Sequence, residues 1–472
     1  MPALSAQALV SFVLLDLAII LAVARPVGTL CTRIGQPRVV GEILAGVLLG
    51  PTLLGPTLWP GFAAPALLHC MIQPGVIQPG VIQPGLIQSV LIQPGTQPGT
   101  PISPTTCLFP VPARAVLGQL GQLGLLLFSF LTAVELDRAV LRNRTLGIAL
   151  VGPGSVLLPI AIGIPLAPVL ATRVFKPESA STLGFTLFVG VMLAATALPV
   201  MVRILQERGL SRSALGYTGI AASAVATMGL FVAASVASSI NGAAGTAGAS
   251  RALAAALGYL GLMLLVVRPL LAKIAARPTR GSAGEVGLLV WVLVLLLASG
   301  LAAQLAGLTV IVGGFMAGLV LPVQAALHCA LEQRLGEVTR SVLLPIFLAF
   351  SGLQTDLTAV PVAAYGGLAL LLAAGLVSKW GGGAVLARLS GLSWAESNVL
   401  GILMNCPGVI VLVVALVGLQ NGVITPALQA GVVLVALIAT AMTGPLLDVY
   451  LPRLPATSLV ALPPPAVRRL RA

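Results

Sequence analysis

Apolar residues run along the chain in long blocks, separated by short clusters that hold most of the charge. A block of about 20 apolar residues is the length of a helix that crosses a bilayer, because backbone groups left unpaired in hydrocarbon are too costly for any other conformation. Such blocks predict helices over residues 6–24, 39–58, 115–134, 145–171, 182–205, 214–240 and 252–272. The second half continues with 284–305, 307–321, 340–352, 360–388, 396–419 and 426–450. The total is thirteen; the ninth and tenth blocks are short, so twelve is the alternative. The first block has no basic leader and is followed by Arg25, and it reads as a retained helix rather than a cleaved signal. The expected fold class is an all-α polytopic membrane protein.

Composition agrees with the pattern. Hydrophobic residues make up 58% of the 472 and charged residues only 8%, against roughly 25% charged in a soluble domain. The net charge of +13 does not point to nucleic acid, since no basic patch is interleaved with aromatics. It reports topology instead. With alternate loops assigned to the cytoplasm, beginning after the first block, cytoplasmic segments hold 20 of the 25 Lys and Arg residues. The outer loops hold Arg114, Arg173, Lys176 and Arg251, and Lys379 lies inside a block. Positive residues stay on the cytoplasmic side. This predicts an N-terminus outside, a C-terminus inside and a plasma (inner) membrane location, with the lipid bilayer as the solvent. The expected organisation is two helices over 1–58, an outer loop over 59–114, a transporter core over 115–450 and a short basic tail over 451–472.

The outer loop repeats a five-residue unit, with VIQPG at 76–80 and again at 81–85, then LIQSV and LIQPG. Each Pro removes a backbone donor, and Pro-Gly steps favour turns. The loop is therefore read as irregular and outside the bundle, either without a role or as a tethered flap. Cys70 and Cys107 bracket it, and the outer side is oxidising. A disulfide between them and a pair of free thiols are both open.

Two blocks are interrupted near their middles. The fifth carries Thr196-Ala-Leu-Pro199, and the twelfth carries Asn405-Cys-Pro407-Gly408. Proline breaks the helical hydrogen-bond ladder. The two blocks are an odd number apart, so they enter the membrane from opposite sides. Paired broken helices of opposite orientation are the device by which inverted-repeat transporters build a site at the midplane. Intramembrane charge is costly and points to function. Lys379 stands in the eleventh block beside Gly381, Gly382 and Gly383, either at the ion path or with its ammonium reaching back to the membrane edge. Asp16, midway along the first block, and Glu42, one turn into the second, are assigned structural roles. An intramembrane aspartyl protease would need a second membrane aspartate beside Asp16. A serine–histidine enzyme would need an embedded His, and His69 and His328 both lie in loops. The chain is not read as an enzyme.

The stretch RIGQPRVVGEILAGVLLGP at 33–51 resembles the second helix of the cation/proton antiporter family that includes plant cation/H+ exchangers and bacterial glutathione-gated potassium efflux antiporters. Further stretches resemble that family in the right order: LGLLLFSFLTAVELD (123–137), AATALPVMVRILQERGL (194–210), LLPIFLAFSGLQTDL (343–357), SKWGGG (378–383), AESNVLGILMNCPG (395–408) and TGPLL (443–447). The resemblance implies an inverted-repeat antiporter fold with two broken crossing helices. It also implies exchange of a monovalent cation, Na+ or K+, for protons, with a homodimer as the usual assembly. No cofactor is expected, nor a dinucleotide-binding tail. By resemblance the ion pathway falls on Thr196, Pro199, Ser223, Thr227, Lys379 and Asn405, with Pro407 and Gly408 breaking the twelfth helix. One departure matters. The family's sixth helix carries Asn-Asp or Asp-Asp, and this chain has Ala226 and Thr227 there; in the twelfth helix Val411 stands at an acid's place. Thr227 cannot titrate near neutral pH. The expectation is antiport with altered coupling, and the alternative is a non-transporting or regulatory membrane paralogue.

Overall fold

A computed structural model describes residues 6–54, 105, 108–135, 144–241, 245–275, 283–322, 331–408, 410–455 and 458. The described residues are helical, without strands. The helices are α1 Ala6–Arg33, α2 Arg38–Leu49, α3 Val111–Val134, α4 Thr145–Leu170, α5a Thr182–Ala194, α5b Leu198–Glu207, α6 Ala214–Asn241 and α7 Gly245–Gly261. They continue as α8 Ala283–Leu305, α9 Val310–Val320, α10 Leu344–Leu353, α11 Tyr365–Gly375, α12a Trp394–Met404, α12b Ile410–Gln420 and α13 Pro426–Tyr450. Wider π-helical turns extend several of them: Leu262–Val267 after α7, Thr339–Leu343 before α10 and Leu376–Gly381 after α11.

Among the described residues nine helical spans are long and apolar enough to cross a membrane, with shorter apolar helices at Leu289–Leu305, Val310–Val320 and Ile410–Leu419. Every predicted block has a helical counterpart, with shifted ends. The first helix does not stop at Ala24 but runs through Pro26 to Arg33, which places Arg25 inside it rather than in a loop. Apolarity ends at Arg25, whereas the backbone ladder ends eight residues later, where Gly35 adopts φ +77. The second helix stops at Leu49 rather than at residue 58, because Gly50 is extended and Pro51 follows it. The repeat loop with His69, Cys70 and Cys107 lies outside the described residues, and so does His328.

The helices sort into two packed groups. In one, α2 packs on α1 and α10, and α3 on α9 and α10, with α8 against α9. In the other, α4 packs on α5a and α6, α12a on the stretch that continues α11, and α13 on α11 and α12b. Small residues set the closest approach: a Cβ on Gly46 of α2 would lie 1.8 Å from the Ala349 carbonyl oxygen of α10. Large apolar side chains such as Leu265, Trp291 and Leu305 point outward, as expected of helices whose outer faces meet lipid. The most buried span is α5a–α5b, in the centre of the larger core.

Candidate functional site

Helix α5 breaks where its sequence cannot continue the ladder. Pro199 sits in the first turn of α5b, where its missing N–H costs nothing, and Ala195 and Ala197 ahead of it are non-helical. Helix α12 breaks after Met404. Asn405 leaves the helical conformation, Pro407 follows, and Gly408 takes φ +49, a left-handed value that favours glycine. Each break frees backbone polar groups in the buried core, so those groups need partners.

They find them in each other. The Ala197 N–H donates to the Cys406 carbonyl at 2.8 Å, and the Thr196 hydroxyl donates to the Met404 carbonyl at 3.1 Å. Gly408 lies against α5b so closely that a Cβ there would meet Val200 Cγ2 at 2.5 Å and Ala197 Cβ at 2.7 Å. Helix α6 reaches the same place: the Thr227 hydroxyl donates to the Thr196 carbonyl at 3.3 Å. One turn away on that face, the buried Ser223 hydroxyl has no partner among the described residues. Cys406 Sγ shares a hydrogen bond of 3.2 Å with the Thr443 hydroxyl of α13.

Lys379 completes the site. It lies in the π-helical stretch that continues α11 and is 2% exposed, and its Nζ donates to the Ala195 carbonyl in the first break. The ammonium therefore does not reach back to the membrane edge. No carboxylate pairs with it among the described residues. A cavity of about 40 Å³ borders Lys379, Asn405, Pro407 and Val411, room for one or two waters or one dehydrated small cation. Its remaining wall is apolar, including Leu193 and Leu371. Oxygen-bearing groups without a formal negative charge surround the crossing: the Thr227 hydroxyl against the Thr196 carbonyl, Asn405 at the cavity and the carbonyls of the breaks.

The sequence profile described as "Sodium/hydrogen exchanger, transmembrane" matches residues 18–451. The chain belongs to that family. It is a family of membrane antiporters, and the chain is a multi-pass membrane protein. It is 29% identical over 437 residues to the Na(+)/H(+) antiporter NhaS4 of Synechocystis, covering 92% of this chain and 96% of that one. It is 30% identical to cation/H(+) antiporter 17 of Arabidopsis thaliana and 27% identical to K(+)/H(+) antiporter 1 of Saccharomyces cerevisiae. Against these two, the match covers 73% and 74% of this chain but only 42% and 41% of the relatives. The solved sodium proton antiporter MjNhaP1 of Methanocaldococcus jannaschii superposes with a TM-score of 0.57 over 96% of this chain and 99% of its own, at 14% identity. That likeness concerns the fold.

Of the residues singled out by sequence, the structure gathers Thr196, Pro199, Ser223, Thr227, Lys379, Asn405, Pro407 and Gly408 around the two breaks. Glu42 and Asp16 stand elsewhere. Glu42 is 2% exposed, and its carboxylate lies 3.9 Å from Arg203 of α5b, which also faces Glu207 at 3.4 Å. Asp16 is fully buried on α1, with neither carboxylate oxygen hydrogen-bonded among the described residues. Sequence reasoning missed the Ala195 and Cys406 carbonyls, because backbone groups carry no residue signature. It also missed Arg203 as the partner of Glu42, although both sit at the arginine-rich end of their helices.

Proposed function

We propose that the chain is a secondary active antiporter of a monovalent cation, Na+ or K+, against protons, and that Lys379 carries the exchanged charge in place of the family's aspartate. The observation that carries this reading is the contact of the buried Lys379 ammonium with the Ala195 carbonyl at the crossing of two broken helices. A desolvated centre without a carboxylate tolerates one positive charge and not two. At ~5 Å and an effective dielectric constant of about 20, two unit charges repel by about 3 kcal/mol, a factor of about 200 in occupancy. A bound cation and a protonated Lys379 therefore exclude each other. When Lys379 gives up its proton, the Ala195 carbonyl, the Thr227 hydroxyl and the Asn405 amide are free to receive the cation. The centre carries +1 in both states, so one proton moves against one cation.

The charge pattern of the loops supports a plasma-membrane location with the N-terminus outside, and the family's habit of pairing supports a homodimer. A non-transporting membrane paralogue is the reading that the missing carboxylate would otherwise favour. Reconstitution separates the two. The purified chain in vesicles holding a pH gradient and a pH-sensitive dye should release protons saturably when Na+ or K+ is added. Absence of any cation-dependent proton movement would leave the non-transporting reading.

A further inference from the structure

The two helix groups part at one end of the bundle and are tied together at the other. At the arginine-poor end a cavity of about 250 Å³ opens between them. Four glutamines line it: Gln122 of α3, Gln304 of α8, Gln354 just beyond the end of α10 and Gln429 of α13. None of these four amides bonds to another described residue, and no charged side chain contributes to the lining. At the opposite end, Glu42 of α2 faces Arg203 of α5b, and the Arg38 backbone N–H donates to the Glu207 carboxylate at 3.1 Å. Gln429 and Asp448 mark the two ends on α13; 19 residues apart, they are separated by about 28 Å of helix.

The floor of the cavity leads to the breaks. Ser223, Thr227 and Phe231 follow at four-residue steps and so share one face of α6. Thr227 touches the first break, and Phe231, 5% exposed, lines the cavity one turn, about 6 Å, further along. Leu412 and Val413, just past the second break, line the same floor. Apolar side chains, Phe231 of α6 with Leu412 and Val413 of α12b, thus stand between the amide-lined cavity and the buried crossing.

We propose that this cavity is an outer vestibule for a partly hydrated monovalent cation, and that Phe231 is the gate between it and the paired breaks. The assignment rests on the antiport reading above and names its outer route. Amide oxygens replace part of a hydration shell without binding the ion tightly, which suits a site the ion must leave. The gate acts through access, so Phe231 is a positioning residue. The test reads chemical access and not transport. In intact cells expressing the full chain, Gln304→Cys and Gln429→Cys should react with a membrane-impermeant trimethylammonium methanethiosulfonate, followed by mass mapping of the labelled peptides. Arg334→Cys, at the arginine-rich end, should react only after permeabilisation. Thr227→Cys should react slowly while Phe231 is present and at least tenfold faster with Phe231→Ala, and Phe231→Leu provides an intermediate rate should the alanine variant fail to fold. The proposal is overturned if Gln304→Cys needs permeabilisation to react, or if trimming Phe231 leaves the Thr227→Cys rate unchanged. This labelling pattern in a chain that moves no protons would count against antiport and leave the gated vestibule standing.

Discussion

If the two broken helices are locked by their crossing, a single methyl group at Gly408 should unlock them. Gly408 has φ +49, where a side chain costs about 1–2 kcal/mol through its clash with the following carbonyl. The added Cβ would also sit 2.5 Å from Val200 Cγ2 and 2.7 Å from Ala197 Cβ, and overpacking of that kind costs about 1–3 kcal/mol. Gly408→Ala should therefore lose about 2–5 kcal/mol. Gly391 is the control: it has φ +93, but an added methyl there would meet no heavy atom within 4 Å. Gly391→Ala should lose only the backbone share, about 1–2 kcal/mol. Thermal unfolding of both variants in detergent, followed by tryptophan fluorescence, gives the comparison. Val200→Ala placed in the Gly408→Ala chain removes the closest clashing atom and should restore part of the loss. Equal destabilisation of the two glycine variants, with no rescue by Val200→Ala, would refute the locked crossing.

Other consequences are testable in the same preparations. Gly46→Ala forces a methyl onto the Ala349 carbonyl across α2 and α10 and should cost about 3 kcal/mol or more, visible as loss of a monodisperse peak in size-exclusion chromatography; a well-behaved variant would contradict the packing. Arg203→Ala leaves the buried Glu42 without its counter-charge. It should lower the melting temperature more than the double variant Arg203→Ala/Glu42→Gln does, because an unpaired buried charge costs more than a neutral amide; the opposite order would show that the pair does not matter. Thr227→Asp puts a titratable carboxylate against the first break, and should raise the protons released per cation in reconstituted vesicles; no change would place Thr227 off the ion path.

Much of this was legible in the residues and some of it was not. Pro199 and Pro407-Gly408 announced both breaks because proline and glycine act on the backbone directly. The small residues of 41–50 likewise announced close helix contacts, which proved to be with α1 at Gly41 and with α10 at Gly46. The pairing of the breaks was not legible, since it runs through the Ala197 N–H and the Cys406 carbonyl, groups that every such residue possesses. The depth of Lys379 was also beyond the pattern: whether its ammonium reaches the membrane edge or the centre depends on the wide turns over Leu376–Gly381, and no residue there demands them. Helix α1 outran its apolar block because hydrogen bonding, not hydropathy, ends a helix. The vestibule glutamines are scattered over 308 positions from Gln122 to Gln429, and only the fold brings them together.

The central claim is that Lys379 holds the charge that a cation displaces, and proton release from reconstituted vesicles tests it most directly. The wild-type protein and Lys379→Met should be reconstituted at equal density and challenged with Na+ or K+ across a range of pH. Methionine fills the same volume without a charge, and with no carboxylate paired to Lys379 among the described residues its melting temperature should be unchanged or raised. The account predicts saturable, pH-dependent proton release from the wild type and its loss in the stable Lys379→Met variant. Equal cation-dependent proton release with the same pH profile from both would contradict it.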